Sequence, residues 1–163
     1  MKIIIEPMTA DAFAPFGDLL EAKGTPDKII NQGLCGRFHD RARMDFSDGR
    51  AGISIFHAEK RDLPLKLDLV ERHPDGSQAF VPMSHQPFLV VVAEDQNGTP
   101  QNIRAFLTEA GQAINIHRGV WHGVPFIHCA LVAIFLFANI INENQKSFIR
   151  PISTFIHING YII

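Results

Sequence analysis

Short apolar runs recur along this chain with turn-forming residues between them, and that rhythm constrains the fold more than any other feature. The runs fall at residues 2–5, 52–57, 63–70, 78–81, 87–93, 103–107 and 113–116, and Gly, Pro, Asp and Asn break them. Each is the length of a strand rather than a helix. Strands at this spacing predict an all-β antiparallel sandwich or jelly-roll barrel. Asn97-Gly98 lies between two runs and predicts a hairpin turn, a simpler reading than a glycosylation acceptor at Asn97-Gly98-Thr99. Helix is expected only in one or two short peripheral pieces. The clearest covers residues 10–14, capped by Thr9, with Asp11 near the positive end of its dipole and Pro15 and Gly17 as its stop.

The chain has 163 residues, which suits one domain over residues 1–163. Apolar residues make up 46% and charged residues 20%, a composition able to build a packed core. Its 15 basic and 17 acidic side chains leave a formal charge of -2 without a long run of either sign. That excludes the electrostatic footprint of a nucleic-acid binder and points to a small-molecule partner. Cys35 and Cys129 are far apart and form no CxxC pair, so neither a disulfide framework nor a cysteine zinc site is expected, which favours the cytoplasm. "MKIIIEPM" is too short in apolar residues for a signal peptide. The nearly uncharged stretch 121–141 is interrupted by His122, Pro125, His128 and Asn139, so it reads as buried strand and not as a membrane span.

Two polar clusters stand out against this apolar pattern. In "ERHPDGSQ", Glu71 and His73 are two apart and share a face of any strand that contains them, while Gln78 can return on the next strand after a Pro-Asp-Gly-Ser turn. In "NIHRGVWH", His117 and His122 flank Arg118-Gly119, so His122 can reach the same space from another strand. Convergence of Glu71, His73, Gln78 and His122 would offer a carboxylate, two imidazoles and an amide oxygen, a set suited to a divalent first-row ion. The remaining histidines on apolar strands, His57, His85, His128 and His157, read as ordinary hydrogen-bonded residues. Glu71 and Arg72 also read as a surface ion pair, but consecutive strand residues face opposite ways. In "GRFHD", Arg37 is open to two readings: a clamp for a substrate carboxylate, or a partner for an acidic surface residue.

The blocks "GRFHD", "ISIFHAEKRDLPLKLDLVERHPDGSQAFVPM", "PFLVVVA" and "GQAINIHRGVWHG" together resemble the ureidoglycolate lyase family, also called ureidoglycolate hydrolase, over about residues 1–124. The resemblance implies a cupin-type double-stranded β-helix. A general cupin carries HxH with a downstream Glu, then PxGxxH. Here Glu71, His73 and Gln78 stand at the first three positions and His122 at the last, and His117 replaces the proline. Two of four usual ligands are changed, so no tightly bound cofactor is expected, only a weak metal site of Glu71, His73, Gln78 and His122 and stimulation by an ion such as nickel. The activity implied is cleavage of ureidoglycolate to glyoxylate and urea in allantoin breakdown, by general acid-base scission of a C–N bond. His73, His122 and Glu71 would be the catalytic residues, and Arg37, Arg72, Gln78, His117 and Trp121 the substrate contacts. The alternatives are a metal-dependent cupin isomerase or dioxygenase, and a cupin module that binds small acids without turning them over.

The chain departs from the family after "WHGV". From Val124 onward it is rich in Ile and Phe, has Glu143 as its one acidic residue, and shows no clear alternation, so residues 126–163 form an atypical tail. A shift of reading frame near Val124 would leave such a pattern. A strand around residues 130–137 is still expected to join the barrel, since backbone pairing tolerates many apolar side chains. The last ~20 residues are expected to pack poorly or to lie across a partner, hiding Phe148, Ile152, Phe155 and Ile156 in a homodimer.

Overall fold

A computed structural model describes residues 2–47, 49–59, 62–123, 126–127, 132–141 and 148–157. The order is β1 (Lys2–Pro7), α1 (Ala10–Phe13), β2 (Gly17–Leu20), β3 (Lys28–Ile30), β4 (Cys35–Arg37), β5 (Arg50–Glu59), β6 (Leu65–Arg72), β7 (Gln78–Pro82) and β8 (Phe88–Gln96). There follow β9 (Thr99–Leu107), β10 (Ala113–Ile116), β11 (Trp121–His122), β12 (Phe126–Ile127), β13 (Val132–Ile141) and β14 (Phe148–His157). Every expected run became a strand. The Asn97-Gly98 turn joins β8 to β9 with positive φ at both residues, 52° and 79°, the backbone that a two-residue hairpin requires. Helix α1 is a single turn whose cap is Thr9 Oγ1, accepting from the Ala12 amide at 3.2 Å.

The fold is an all-β barrel. Strands β11, β6, β14, β1, β9, β8 and β12 form one sheet, and because β11 pairs with both β6 and β8 that sheet curls round and closes on itself. A second sheet runs β2, β10, β7, β13, β5, and β3 and β4 make a separate hairpin. From β6 onward the chain crosses between the sheets, in the manner of a jelly roll: β7, β10 and β13 belong to the second sheet, and β8, β9 and β11 to the first.

Strand alternation then gives two cores. On β8, Leu89, Val91 and Ala93 face the inside of the closed sheet with Ile3, Ile5, Leu65, Leu67, Val70, Ala105 and Trp121. Phe88, Val90 and Val92 face the other way, towards Phe13, Phe16, Phe80, Phe106, Ile114 and Ile116, and so fill the layer between the sheets. A candidate site that opens into this second layer has an apolar floor ready made.

On β6 the alternation breaks. Leu65 and Leu67 point inward, Leu69 is 42% exposed, and Val70 is buried inside again, while the register against β14 slips between Pro151 and Thr154. Beyond the break Arg72 lies on the inner side and Glu71 on the outer.

The tail differs from expectation in one respect. Strand β13 joins the second sheet between β7 and β5, as the apolar content of that stretch predicts. The following segment is not loosely packed: β14 inserts between β6 and β1, parallel to β1, and Ile152 packs against the inner core. Two closed ladders satisfy its backbone, which weighs more than its irregular side-chain pattern. Phe148 and Ile149 do remain exposed, at 44% and 57%. Residues 158–163 lie outside the described residues.

Candidate active site

Glu71 near the end of β6, His73 just beyond it, and His122 on β11 meet on the outer face of the closed sheet. The ladder sets His122 directly opposite Glu71, so the two share a face by register alone. One ligand atom from each of the three lies within 4.8 Å of the other two. Glu71 Oε1 is 3.7 Å from His73 Nε2 and 4.0 Å from His122 Nε2. The two imidazole rings are 5.4 Å apart, and the Phe80 ring stands edge-on to His122 at 6.3 Å. The loops are tied to this geometry. Gly119 N–H donates to the His73 carbonyl at 2.9 Å, linking the end of β6 to the turn before β11, and Arg118 pairs with Asp45 at 3.1 Å.

Burial decides the electrostatics. His122 is 2% exposed, and loss of hydration pushes its pKa down to about 4, so the ring is neutral at pH 7. Its Nδ1 lies 3.1 Å from the Val120 carbonyl, which fixes the proton on Nδ1 and leaves the Nε2 lone pair facing Glu71. Glu71 is held below the usual carboxylate range by its hydrogen bond with His73, against the upward push of burial. A carboxylate between two imidazoles, one of them neutral by burial, can hand a proton from one ring to the other.

Gln78 opens β7 and shares a face with Phe80, so it points into the same layer. It is buried, and its Oε1 has no hydrogen-bond partner among the described residues. Such an orphaned acceptor calls for an explanation, and a cation or a substrate donor is one. Glu71, His73 and His122 by themselves make a donor set of one carboxylate and two imidazoles that fits a divalent ion.

The other sequence-predicted contacts have protein partners of their own. Arg72 packs its guanidinium on Trp121 at 4.9 Å and Phe148 at 5.2 Å and pairs with Asp95 at 2.8 Å, on the face opposite Glu71. Trp121 is fully buried in the inner core, since it precedes His122 on β11 and alternation sends it the other way. His117 binds Asp18 at 3.0 Å, beside Asn115. Arg37 is on the β3–β4 hairpin, where it contacts His39 at 2.7 Å. Sequence reasoning passed over Asp95, which lies within the polar run Glu94 to Asn97 at the β8–β9 turn. The signal was present: Asp95 follows Leu89, Val91 and Ala93 at intervals of two and so belongs to their face.

The ureidoglycolate lyase family matches residues 1–149. A ureidoglycolate lyase of Rhodobacter capsulatus is 63% identical over 124 residues, 76% of this chain and 77% of that protein. Another, of a Chelativorans species, is 50% identical over 125 residues, 76% of each. Among solved structures, the epimerase RmlC of Legionella pneumophila is 13% identical with a TM-score of 0.43, over 60% of this chain and 52% of that one, and nothing rests on it. The family match over most of the chain, with Glu71, His73 and His122 inside it, shows that this protein belongs to the ureidoglycolate lyase family.

Proposed function

We propose that this protein cleaves ureidoglycolate to glyoxylate and urea, with His122 as base, His73 as acid and Glu71 as the group between them. The observation that carries the reading is the convergence of these three side chains within 4.8 Å, in a chain of this family. Cleavage consumes no water. The carbinol O–H gives its proton to His122 Nε2, the C–O bond becomes a carbonyl, and the C–N bond breaks with its electron pair going to nitrogen. His73 protonates that nitrogen and urea departs. The proton left on His122 then returns to His73 by way of Glu71, whose Oε1 stands 3.7 and 4.0 Å from the two nitrogens. His122 is neutral at pH 7, which leaves its Nε2 lone pair open for the first proton, and the Glu71 carboxylate 4.0 Å away stabilises the charge it then carries. Gln78 is assigned to the substrate, where its unpaired Oε1 can accept from the ureido N–H.

Glu71, His73, His122 and Gln78 would hold a divalent ion, which when bound would polarise the substrate's oxygens. In that state the same nitrogens are ligands and not proton carriers, so the two modes are alternatives. The test is urea and glyoxylate release by purified protein, with and without chelator. The expected result is activity that survives dialysis against chelator and rises with added nickel. Stoichiometric metal that dialysis cannot remove, with activity strictly dependent on it, would replace the acid-base reading by the metal one. Binding of glyoxylate-like acids without urea release would leave only a binding module.

The working partner is a second copy of this chain, and the compartment is the cytoplasm, in keeping with the unpaired cysteine pattern. The surface supports the first point: β5 edges the second sheet and exposes Ile53 at 71% and Ile55 at 67%, with Phe56 at 51%. Light scattering coupled to size exclusion should give the mass of a dimer, and a clean monomer at micromolar concentration would refute it. Among the described residues no helix is long and apolar enough to cross a membrane.

A further inference from the structure

We propose that Asp95 is a positioning residue for the candidate active site, holding β6 and β11 together from behind so that Glu71, His73 and His122 keep their spacing in front. The inference deepens the lyase reading and rests on it for its kinetic consequence. A single oxygen, Asp95 Oδ1, accepts from Trp121 Nε1 at 2.7 Å and pairs with Arg72 at 2.8 Å, while Oδ2 accepts from the Gly98 amide at 3.3 Å. One carboxylate thereby joins three strands: β8, on which it sits, β11 through Trp121 and β6 through Arg72. The Arg72 guanidinium also lies over the Trp121 ring at 4.9 Å, so the two contacts brace each other.

The positions of these groups in the sequence give the cluster its leverage. Arg72 lies between Glu71 and His73, and Trp121 immediately precedes His122. A strand segment held by its inward side chains has its outward ones aimed as well, because successive side chains leave opposite faces of the same backbone. Strand β11 is two residues long and β6 meets it in a single register pair, His122 opposite Glu71. Strand β11 is also held by β8 at Trp121 and His122 and by the Gly119–His73 backbone bond, but a single pair to β6 is a weak constraint on the spacing of Glu71 and His122, and the contacts behind it add a second one. A displacement of about 1 Å at a reacting group is enough to lower turnover by up to about 10²-fold.

The test uses Asp95→Asn, which removes the charge, and Trp121→Phe, which removes the indole donor while keeping an aromatic in the core. Lys66→Ala, on an exposed part of β6, serves as control. Each is made in the wild-type background and in His122→Gln, and followed by urea release, by melting temperature and by NMR of the histidine rings. The expected result is a loss of about tenfold or more in kcat from either variant in the wild-type background, and less than about twofold in His122→Gln. A role in folding alone would lower both backgrounds alike. His73 and His122 ring resonances should shift in both variants and stay in place in the control. Equal losses in the two backgrounds, or unmoved ring resonances, would overturn the proposal. If Asp95→Asn does not fold, Trp121→Phe carries the same comparison. If wild-type protein releases no urea, the lyase reading fails separately, and the ring resonances alone decide whether Asp95 positions the site.

Discussion

A buried imidazole that stays neutral makes a prediction about acid. The folded-state pKa of His122, about 4, lies below its ordinary value of 6.5, so the folded protein binds fewer protons than the unfolded chain between these limits. Its contribution to stability is full above about pH 6.5 and is lost as pH falls towards 4. Glu71, also depressed, acts in the same direction, contributing above its unfolded value and losing that contribution as pH falls through its folded one. Denaturant melts between pH 4 and 7 should therefore show stability falling with acid more steeply in the wild type than in His122→Gln, and parallel slopes would mean that His122 is not neutral by burial. The same substitution, and His73→Gln, should each reduce lyase turnover by about 10²-fold or more while leaving the protein folded. Full activity in both would remove these rings from the reaction. That Glu71, His73 and His122 meet was legible in the sequence, since spacing of two and a turn beside each cluster are local facts. The burial that neutralises His122 was not, because it depends on Phe80 arriving from the second sheet.

Strands were legible wherever apolar residues formed runs, and their pairing was legible at the Asn97-Gly98 hairpin. The face each residue takes was harder. Unbroken alternation from Leu65 and Leu67 would carry Leu69 and Glu71 inward and turn Val70 and Arg72 out, and the structure does the reverse because β6 breaks step opposite the slip in β14. Such a break has no local signal, since it arises where two strands distant in sequence fail to keep register. It also explains why Arg72 is found behind the site. The two arrangements predict opposite stability effects. Leu69→Ala should cost less than about 1 kcal/mol and Val70→Ala about 2 kcal/mol, because only the second empties space in a packed core. Denaturant melts of the two variants decide it, and a larger loss from Leu69→Ala would restore the unbroken pattern.

At the scale of the whole molecule, β14 was the least legible element. Pro151 lies within it and its apolar residues show no period of two, so nothing in its own sequence names β1 and β6 as its neighbours. Ending the chain after residue 147 should expose the inner core along β1 and β6, giving an inactive protein that aggregates, and a soluble active truncation would show that the sheet closes by another route. Closure by β14 also sets an order of events. Lys2 lies opposite Phe155, so a strand made early in synthesis keeps one edge open until a strand made late emerges from the ribosome. No hairpin or local turn can hold that edge in the meantime. Assembly of the barrel thus turns on a contact between strands far apart in sequence, which makes folding slow for a domain of this size.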